Sequence, residues 1–324
     1  MWAALFPGQG SQHPGMGQYL YENFSEARLK FEEASDLLKI DFKKLCFSGS
    51  EEELQLTANT QPCLLLVSTV AYDVFNALTG FKANALAGHS IGEYAALVAS
   101  GSMAFRQALP AVRTRGEAMQ SAVPVGAGSM CAVMGMTDEQ VREMCSWVEK
   151  ESGFTPLSPA NFNSPGQVVV SGSAKAIEWL QTNFKKEALK DPPARAKFIV
   201  LKVSAPFHCA MMKPAEDKMR AVLTAAEFHD ARHPVVQNFT AQPVSRADQL
   251  RENLIRQVSA PVLWSQSVLK LRDLGVRACI EFGSGKVLAG LVKKIDGEHI
   301  STMNLTSLEE LKNAEKAYNE TRGV

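Results

Sequence analysis

The chain has 324 residues, of which 46% are hydrophobic and 21% charged, and its 34 Lys and Arg balance 34 Asp and Glu. This composition is typical of a soluble globular protein with a sizeable core, arranged as one large domain or two smaller ones. A zero net charge argues against a nucleic-acid-binding protein, which usually carries a basic excess.

Neither a signal peptide nor a membrane span is expected. The N-terminus lacks the basic segment and the apolar length of a signal peptide, and no apolar run reaches the roughly 18 residues of a span. The six cysteines form no Cys-x-x-Cys pair, which favours buried free thiols in a reducing compartment. We therefore expect a cytoplasmic protein that does not bind a membrane.

The N-terminal quarter begins as an α/β pattern. Residues 2–6 are an apolar run that a Gly-rich segment at 7–12 interrupts, which predicts a buried strand followed by a loop. Helical spacing of apolar residues predicts a helix over 25–39. A strongly apolar helix is predicted from Pro62 to about residue 78, with the proline in its first turn.

Residues 86–99 have the layout of a nucleophile elbow. A short apolar run leads into Gly88-x-Ser90-x-Gly92 and then into an alanine-rich helical run, which predicts strand, sharp turn and helix. Such a turn exposes the Ser90 hydroxyl, and the helix start points free N–H groups at the place where an oxyanion could form. The same pentad also occurs in ordinary Gly-rich turns, so the motif alone leaves both interpretations open.

The middle of the chain changes to small alternating units. A helix is predicted over 102–120, and the Pro- and Gly-containing residues 123–128 end it. The units that follow are a strand at 129–134, a helix at 137–150, strands at 159–162 and 167–171, a helix at 174–186 and a strand at 196–203. This βαββαβ order is typical of a ferredoxin-like domain.

The α/β pattern then returns. Strands are predicted at 234–238, 278–282 and 300–305, and helices at 249–257, 263–274, 286–294 and 308–318. We therefore predict an α/β fold. A large α/β-hydrolase-like subdomain comprises residues 1–123 and 201–324, and a small ferredoxin-like subdomain, residues 124–200, is inserted into it.

An activated serine needs a base, and six histidines are candidates. His208 follows a predicted strand and Pro206, in a loop at a sheet edge where sites collect, although a core histidine bonded to backbone fits equally well. His89 is expected to point away from the nucleophile. His229 and His233 have the i, i+4 spacing of a metal pair, but no third ligand is near, so no metal site is predicted.

Several motifs occur together in a fixed order. They are Phe-Pro-Gly-Gln-Gly-Ser-Gln at 6–12, Gly-His-Ser-Ile-Gly-Glu-Tyr at 88–94, Arg-Gly at 115–116 with Met-Gln at 119–120, Asn-Phe-Asn-Ser-Pro-Gly-Gln at 161–167, Pro-Phe-His at 206–208, and Gln257 before Pro-Val-Leu-Trp at 261–264. Each is weak alone. In this order, over residues 6 to about 292, the chain resembles the malonyl-CoA:acyl carrier protein transacylases, acyltransferases of fatty-acid and polyketide synthesis.

The resemblance implies a set of catalytic roles. Ser90 is the nucleophile and His208 its base. The family uses a Ser-His pair whose imidazole is oriented by a backbone carbonyl, and Gln257 matches that position. The backbone N–H groups of Gln9 and Ile91 form the oxyanion hole.

The resemblance also implies how the acyl group is chosen. Arg115 would grip the free carboxylate of malonate, a role that suits the planar fork of arginine. Phe207 and Ile91 are similar to the residues of malonyl-selective members, and a bulky Phe207 would fill the space that a methyl branch needs. Methylmalonyl-CoA is therefore expected to be a poor substrate.

The implied reaction is ping-pong transfer from malonyl-CoA to the phosphopantetheine thiol of acyl carrier protein, with no metal or organic cofactor. We expect a monomer. Because the carrier is acidic, a positive patch near the cleft is also expected. Its candidates are Lys185, Lys186, Lys190 and Lys286, each of which is equally well explained as an ordinary solvated lysine.

Three alternatives stay open at this stage. The same fold could serve a polyketide assembly line as a free-standing acyltransferase, and sequence barely separates that from fatty-acid synthesis. A serine esterase or thioesterase is disfavoured by Arg115, because an esterase pocket has no need of a buried cation. A non-catalytic docking protein is disfavoured by the intact Ser90 and His208.

Overall fold

The computed structural model describes residues 1–322, which form a mixed α/β fold with two sheets. The strands are β1 (Trp2–Phe6), β2 (Ala85–Gly88), β3 (Gly128–Met134), β4 (Leu157–Ser164), β5 (Gln167–Ser173), β6 (Lys197–Val200), β7 (Val235–Val236), β8 (Pro243–Val244), β9 (Ala278–Glu281) and β10 (Ser301–Asn304). The helices are α1 (Gln18–Asn23), α2 (Ser25–Leu38), α3 (Phe42–Ser48), α4 (Glu51–Gln55), α5 (Thr57–Thr79), α6 (Gly92–Ala99), α7 (Phe105–Ser121), α8 (Asp138–Ser152), α9 (Ala174–Asn183), α10 (Lys213–Ala225), α11 (Ala247–Arg256), α12 (Trp264–Asp273), α13 (Val287–Asp296) and α14 (Leu308–Arg322).

The larger sheet has the strand order β10-β9-β1-β2-β7-β8. Its strands are parallel except β8, which pairs antiparallel with β7 at one edge. Both faces are covered. Ala4 and Phe6 of β1 belong to one hydrophobic cluster, whereas Ala3 and Leu5 belong to another. A strand buried on both faces needs a continuous apolar run rather than alternation, which is why residues 2–6 have that pattern.

The smaller sheet has the order β4-β5-β3-β6, and every pair is antiparallel. With α8 and α9 it forms the predicted βαββαβ unit and encloses a cluster of its own. β4 also joins the larger part of the fold, because Phe162 N donates to Val262 O at 2.9 Å and Val262 N donates to Ala160 O at 2.8 Å. The predicted fold class is confirmed. The exact subdomain limits at 123/124 and 200/201 stay a prediction.

Helix α5 differs from its prediction at the N-terminus. It begins at Thr57, so Pro62 lies inside the helix rather than in its first turn. Proline has no N–H, which leaves the carbonyl of Ala58 without its helical donor. Nη1 of Arg113, on α7, donates to that carbonyl at 3.0 Å. The tertiary contact therefore replaces the missing hydrogen bond and lets the helix continue.

Helix α5 is also long and apolar enough, by length and composition alone, to cross a membrane. We expected no such segment. In the fold, 78% of its most apolar window is buried. The helix packs against α6 and α7, as the core helix of a globular protein does.

Candidate active site

The nucleophile elbow lies between β2 and α6. Ser90 has a φ of 51°, in the left-handed region that strains a residue with a Cβ. The backbone is crowded on both sides. A Cβ at Gly88 would lie 2.0 Å from the carbonyl carbon of Gly92, and one at Gly92 would lie 2.1 Å from the oxygen of Phe6. Only glycine fits at either position, which explains the Gly-x-Ser-x-Gly spacing.

Replacing Gly88 with alanine is expected to destabilise the protein by about 3 kcal/mol or more, because the added methyl group meets backbone that cannot move aside. The matched control is Gly290→Ala in α13, where a Cβ would meet nothing within 4 Å. That control should be neutral or stabilising by up to about 1 kcal/mol. Urea unfolding of the two variants and the wild type decides this, and equal stability of the two variants would contradict the elbow geometry.

The structure brings Ser90 and His208 into direct contact. Ser90 Oγ lies 2.8 Å from His208 Nε2, and His208 Nδ1 lies 2.9 Å from the backbone oxygen of Gln257. Because a carbonyl only accepts hydrogen bonds, Nδ1 carries the proton and Nε2 is free to accept one. This is the tautomer that a general base for Ser90 needs.

The imidazole of His208 is held in its neutral form. Burial, and secondly the charge of Arg115, lower the pKa of His208 from 6.5 to about 3. The residue is only 4% exposed. At neutral pH the base is therefore unprotonated before substrate arrives.

Arg115 is a buried cation with neutral hydrogen-bond partners. Its side chain reaches the oxygens of three residues: Nη1 donates to Gln61 Oε1 at 2.8 Å, and Nη2 donates to Gln257 Oε1 at 2.9 Å and to Ser90 Oγ at 3.1 Å. Nε has no partner within residues 1–322. A buried charge without a hydrogen-bonded carboxylate is costly, so this position is suited to an anionic ligand.

The backbone N–H groups predicted to form the oxyanion hole belong to Gln9 and Ile91. Gln9 and Ile91 line the same cavity as Ser90. Between residues 1 and 322, the backbone N–H of neither residue donates to another protein group. Free N–H groups beside a serine nucleophile are what stabilisation of an oxyanion requires.

The cavity has a volume of about 520 Å³ and contains six of the seven predicted site residues, Gln9, Ser90, Ile91, Arg115, Phe207 and His208. Gln257, the seventh, touches Ser90, Arg115 and His208 from outside the cavity. His89 lines the cavity too, although it was expected to point away, and its Nε2 lies 2.9 Å from Asn163 Oδ1.

The four lysines suggested for a carrier patch do not line this cavity; Lys202 does. Lys286 instead forms an ion pair with Glu310 at 2.5 Å. His229 and His233 follow α10 in a loop, so they do not share a helix face. Across residues 1–322 no group of three or more His, Cys, Asp or Glu side chains is placed to hold a metal ion.

Sequence reasoning missed three residues that shape the site. Gln61 holds Arg115, Asn238 hydrogen-bonds the elbow backbone, and Glu93 holds the backbone N–H of Asn238. The position of Asn238, the last residue of the strand predicted at 234–238, was the available signal, because the carboxyl ends of parallel strands meet at one sheet edge. Glu93 is part of the 88–94 motif, but nothing in its local sequence shows which way it faces.

Comparison with known proteins agrees with this geometry. Residues 4–307 match the acyl transferase domain family. The chain is 43% identical over 294 residues to the malonyl CoA-acyl carrier protein transacylase of Bacillus subtilis (strain 168), covering 91% of this chain and 90% of that one. It is 39% identical to the Escherichia coli (strain K12) protein of the same name, covering 95% and 96%.

Solved structures give the same result. An acyl-carrier-protein S-malonyltransferase from Burkholderia pseudomallei has a TM-score of 0.89 at 40% identity, covering 97% of this chain and 99% of that one. A malonyl-transacylase in complex with its type II PKS acyl-carrier protein has a TM-score of 0.90 at 40% identity, covering 98% and 99%. The chain therefore belongs to the acyl transferase domain family, among the malonyl CoA-acyl carrier protein transacylases.

Proposed function

We propose that this acyltransferase moves the malonyl group of malonyl-CoA to the phosphopantetheine thiol of acyl carrier protein through a malonyl ester of Ser90. The observation that carries the proposal is Arg115, a buried guanidinium 3.1 Å from the Ser90 hydroxyl whose hydrogen-bond partners are all neutral. A free carboxylate one methylene group away from a reacting carbonyl is what such a cation can bind in two parallel charge-assisted bonds.

In the first half-reaction Ser90 Oγ attacks the thioester carbonyl while His208 Nε2 takes its proton. The negative charge that develops on the carbonyl oxygen is held by the backbone N–H groups of Gln9 and Ile91, each worth roughly 3 kcal/mol of barrier. The carbonyl of Gln257 accepts from Nδ1 and stabilises the transient imidazolium. When the tetrahedral intermediate collapses, the C–S bond breaks, and the CoA sulfur leaves with the proton from His208.

The second half-reaction runs the same steps in reverse order. The carrier thiol gives its proton to His208 and attacks the malonyl-Ser90 carbonyl, and the same two amides hold the oxyanion. The C–O bond to Ser90 then breaks, and the serine oxygen recovers the proton from the imidazole. The site needs no external oxidant, reductant or metal for either half, so we propose that no cofactor takes part.

Arg115 also separates this function from ester hydrolysis. A serine esterase or thioesterase with an apolar acyl pocket would have no use for a buried cation, which costs stability. In a transacylase the cation selects carboxylated acyl groups. Binding of the malonyl carboxylate also replaces a bond from Arg115 to Ser90 Oγ and so frees the hydroxyl to bond His208 alone.

Fatty-acid synthesis is the pathway we propose, since relatives from bacteria carry the transacylase name. Service to a polyketide carrier is the second candidate, because one similar structure is a malonyl-transacylase bound to a type II PKS carrier protein. We propose a monomer in the cytoplasm, where the six buried, free cysteines would stay reduced. Neither a nucleic acid nor a membrane is proposed as a partner.

Intact-protein mass spectrometry after mixing with malonyl-CoA tests the proposal. The wild type should gain one malonyl group, and Ser90→Ala should gain none. Ser259→Ala is a matched control, since it removes a hydroxyl that bonds Glu216 rather than the site, and it should load normally. A wild type that gains no malonyl group would overturn the proposed function.

Phe207, which is 7% exposed and lines the cavity, is expected to exclude branched acyl groups. Methylmalonyl-CoA should acylate Ser90 about 10- to 200-fold more slowly than malonyl-CoA, the range for one extra carbon in a tight pocket. Phe207→Ala should reduce this difference between the two acylation rates by freeing space for the methyl branch. Rates come from quenched time courses with each thioester, and equal rates in the wild type would contradict this role.

A further inference from the structure

We propose that Asn238 is a positioning residue that, together with Glu93, clamps the nucleophile elbow in its strained conformation and thereby sets the rate of Ser90 acylation. The inference rests on the proposed function for its natural substrate. Asn238 follows β7, far along the chain from the elbow, and it is fully buried. It does not line the cavity, so it acts through Ser90 rather than on substrate.

The side chain of Asn238 holds the elbow backbone at two points. Ser90 N donates to Asn238 Oδ1 at 2.7 Å, and Asn238 Nδ2 donates to Gly88 O at 2.6 Å. These two groups lie on either side of His89, at the sharpest part of the turn. A carboxamide is required here, because the contact needs one acceptor and one donor on the same planar group.

Glu93 fixes the clamp itself. Its carboxylate is fully buried and accepts from the backbone N–H of Asn238 at 2.7 Å and from Gln237 Nε2 at 3.1 Å. Glu93 lies in the first turn of α6, the helix that starts from the elbow. The same carboxylate therefore joins the helix after Ser90 to the loop that carries Asn238.

Gln257 connects this clamp to the base. Its Nε2 donates to Ser90 O at 3.0 Å and approaches Asn238 Oδ1 at 3.4 Å, while its backbone oxygen orients His208. The backbone on both sides of Ser90 is thus bonded to side chains that follow β7 and α11, in addition to the turn bond that Glu93 N donates to Ser90 O at 3.0 Å. These bonds hold the positive φ of Ser90, which the local sequence alone would not keep.

Loss of the clamp should affect chemistry more than substrate binding. The malonyl carboxylate is held by Arg115, which Asn238 does not touch. The attacking oxygen, by contrast, is carried by the clamped backbone. A displacement of the reacting atom by about 1 Å is enough to cost roughly 100-fold in rate.

The experiment measures two rates for Asn238→Asp and Asn238→Ala. One is single-turnover acylation by malonyl-CoA, and the other is modification of Ser90 by a small sulfonyl fluoride, which needs no acyl recognition. Both rates should fall about 100-fold, while the KM for malonyl-CoA stays within about threefold. In Asn238→Asp the new carboxylate oxygen faces Gly88 O, which also accepts only, so the second bond becomes a repulsion.

Asn304→Asp is the matched control. Asn304 Nδ2 donates to the buried Glu281 at 3.0 Å, and both residues belong to the larger sheet. Asn304→Asp therefore also places an acid beside a buried glutamate, but at a position that does not contact the elbow. It should keep both rates within about twofold. As a rescue test, Glu93→Gln keeps an acceptor for Asn238 N and should lose far less rate than Glu93→Ala.

Wild-type rates in Asn238→Asp, or equal losses in Asn238→Asp and Asn304→Asp, would overturn the clamp and leave Asn238 a stability residue. A tenfold or larger rise in KM with unchanged acylation would also overturn it. If the sulfonyl fluoride labels wild-type Ser90 but malonyl-CoA does not, the proposed function fails, and the labelling rates of the variants still decide the clamp.

Discussion

Arg115→Ala is expected to lower kcat/KM for malonyl-CoA by about 10²- to 10³-fold, because two charge-assisted hydrogen bonds to the carboxylate are lost. Loading with acetyl-CoA should be unchanged or faster. The charge of Arg115 is the second cause of the lowered pKa of His208, so its removal raises that pKa and makes the imidazole a stronger base. The substitution should therefore invert the acyl preference rather than abolish activity.

Steady-state rates with the two thioesters measure this inversion. Arg106→Ala is the matched control, since Arg106 lies on the same helix but is exposed and paired with Glu33, and it should keep the wild-type preference. The acyl preference of Arg115→Lys should lie between those of Arg115→Ala and the wild type, because lysine keeps the charge but loses the planar fork. An equal loss of malonyl and acetyl transfer in Arg115→Ala would show that the residue supports the fold rather than selects the substrate.

The second large effect is expected from His208→Ala, which should slow acylation of Ser90 by about 10³-fold, within the usual range for a general base. Without His208 Nε2, 2.8 Å from Oγ, the hydroxyl has no group to take its proton. The KM for malonyl-CoA should change little, since we propose that the carboxylate binds Arg115 rather than His208. Single-turnover kinetics with rapid quenching separate the two quantities. A large rise in KM with unchanged acylation would contradict the role.

The pH dependence of kcat/KM tests the same base without a mutation. As the proposed general base, His208 acts in its neutral form, and the neutral fraction falls as pH drops through its pKa, which is about 3. The rate should therefore stay within about twofold from pH 7.5 to 5.5, whereas an ordinary histidine with a pKa near 6.5 would lose about tenfold. Glu93 also titrates in this range, because burial raises its pKa to about 7. Glu93→Gln removes that titration and serves as the control, and its rate should show the same plateau. A midpoint near 6.5 in both proteins would contradict the account.

Local sequence predicted those parts of the fold that local chemistry determines. The elbow needs glycine at 88 and 92 because backbone atoms lie about 2 Å from each missing Cβ, and that requirement is visible as a motif. The small βαββαβ unit was predicted because its strands and helices have clear periodicity. The two-residue strand β8 and the six-residue helix α1 are too short to show a period, and neither was predicted.

The rest of the site depends on which elements meet in space. Pro62 resembled a helix start because nothing in the nearby sequence shows that Arg113, from another helix, donates the hydrogen bond that proline cannot donate. The resemblance to a known family placed the backbone of Gln257 beside His208. It did not indicate that the Gln257 side chain also bonds Arg115 and Ser90, or that Asn238 holds the elbow. Such contacts join residues more than 100 positions apart, and sequence periodicity carries no record of them.

The central claim is that Ser90 passes its acyl group to a thiol and not to water. A chase of isolated malonyl-Ser90 enzyme with holo acyl carrier protein tests it most directly. Malonyl should appear on the phosphopantetheine thiol at least about 100-fold faster than free malonate appears without the carrier, because a transferase site must keep water from the ester. Release of free malonate at the same rate with and without the carrier would contradict the account and identify a serine hydrolase.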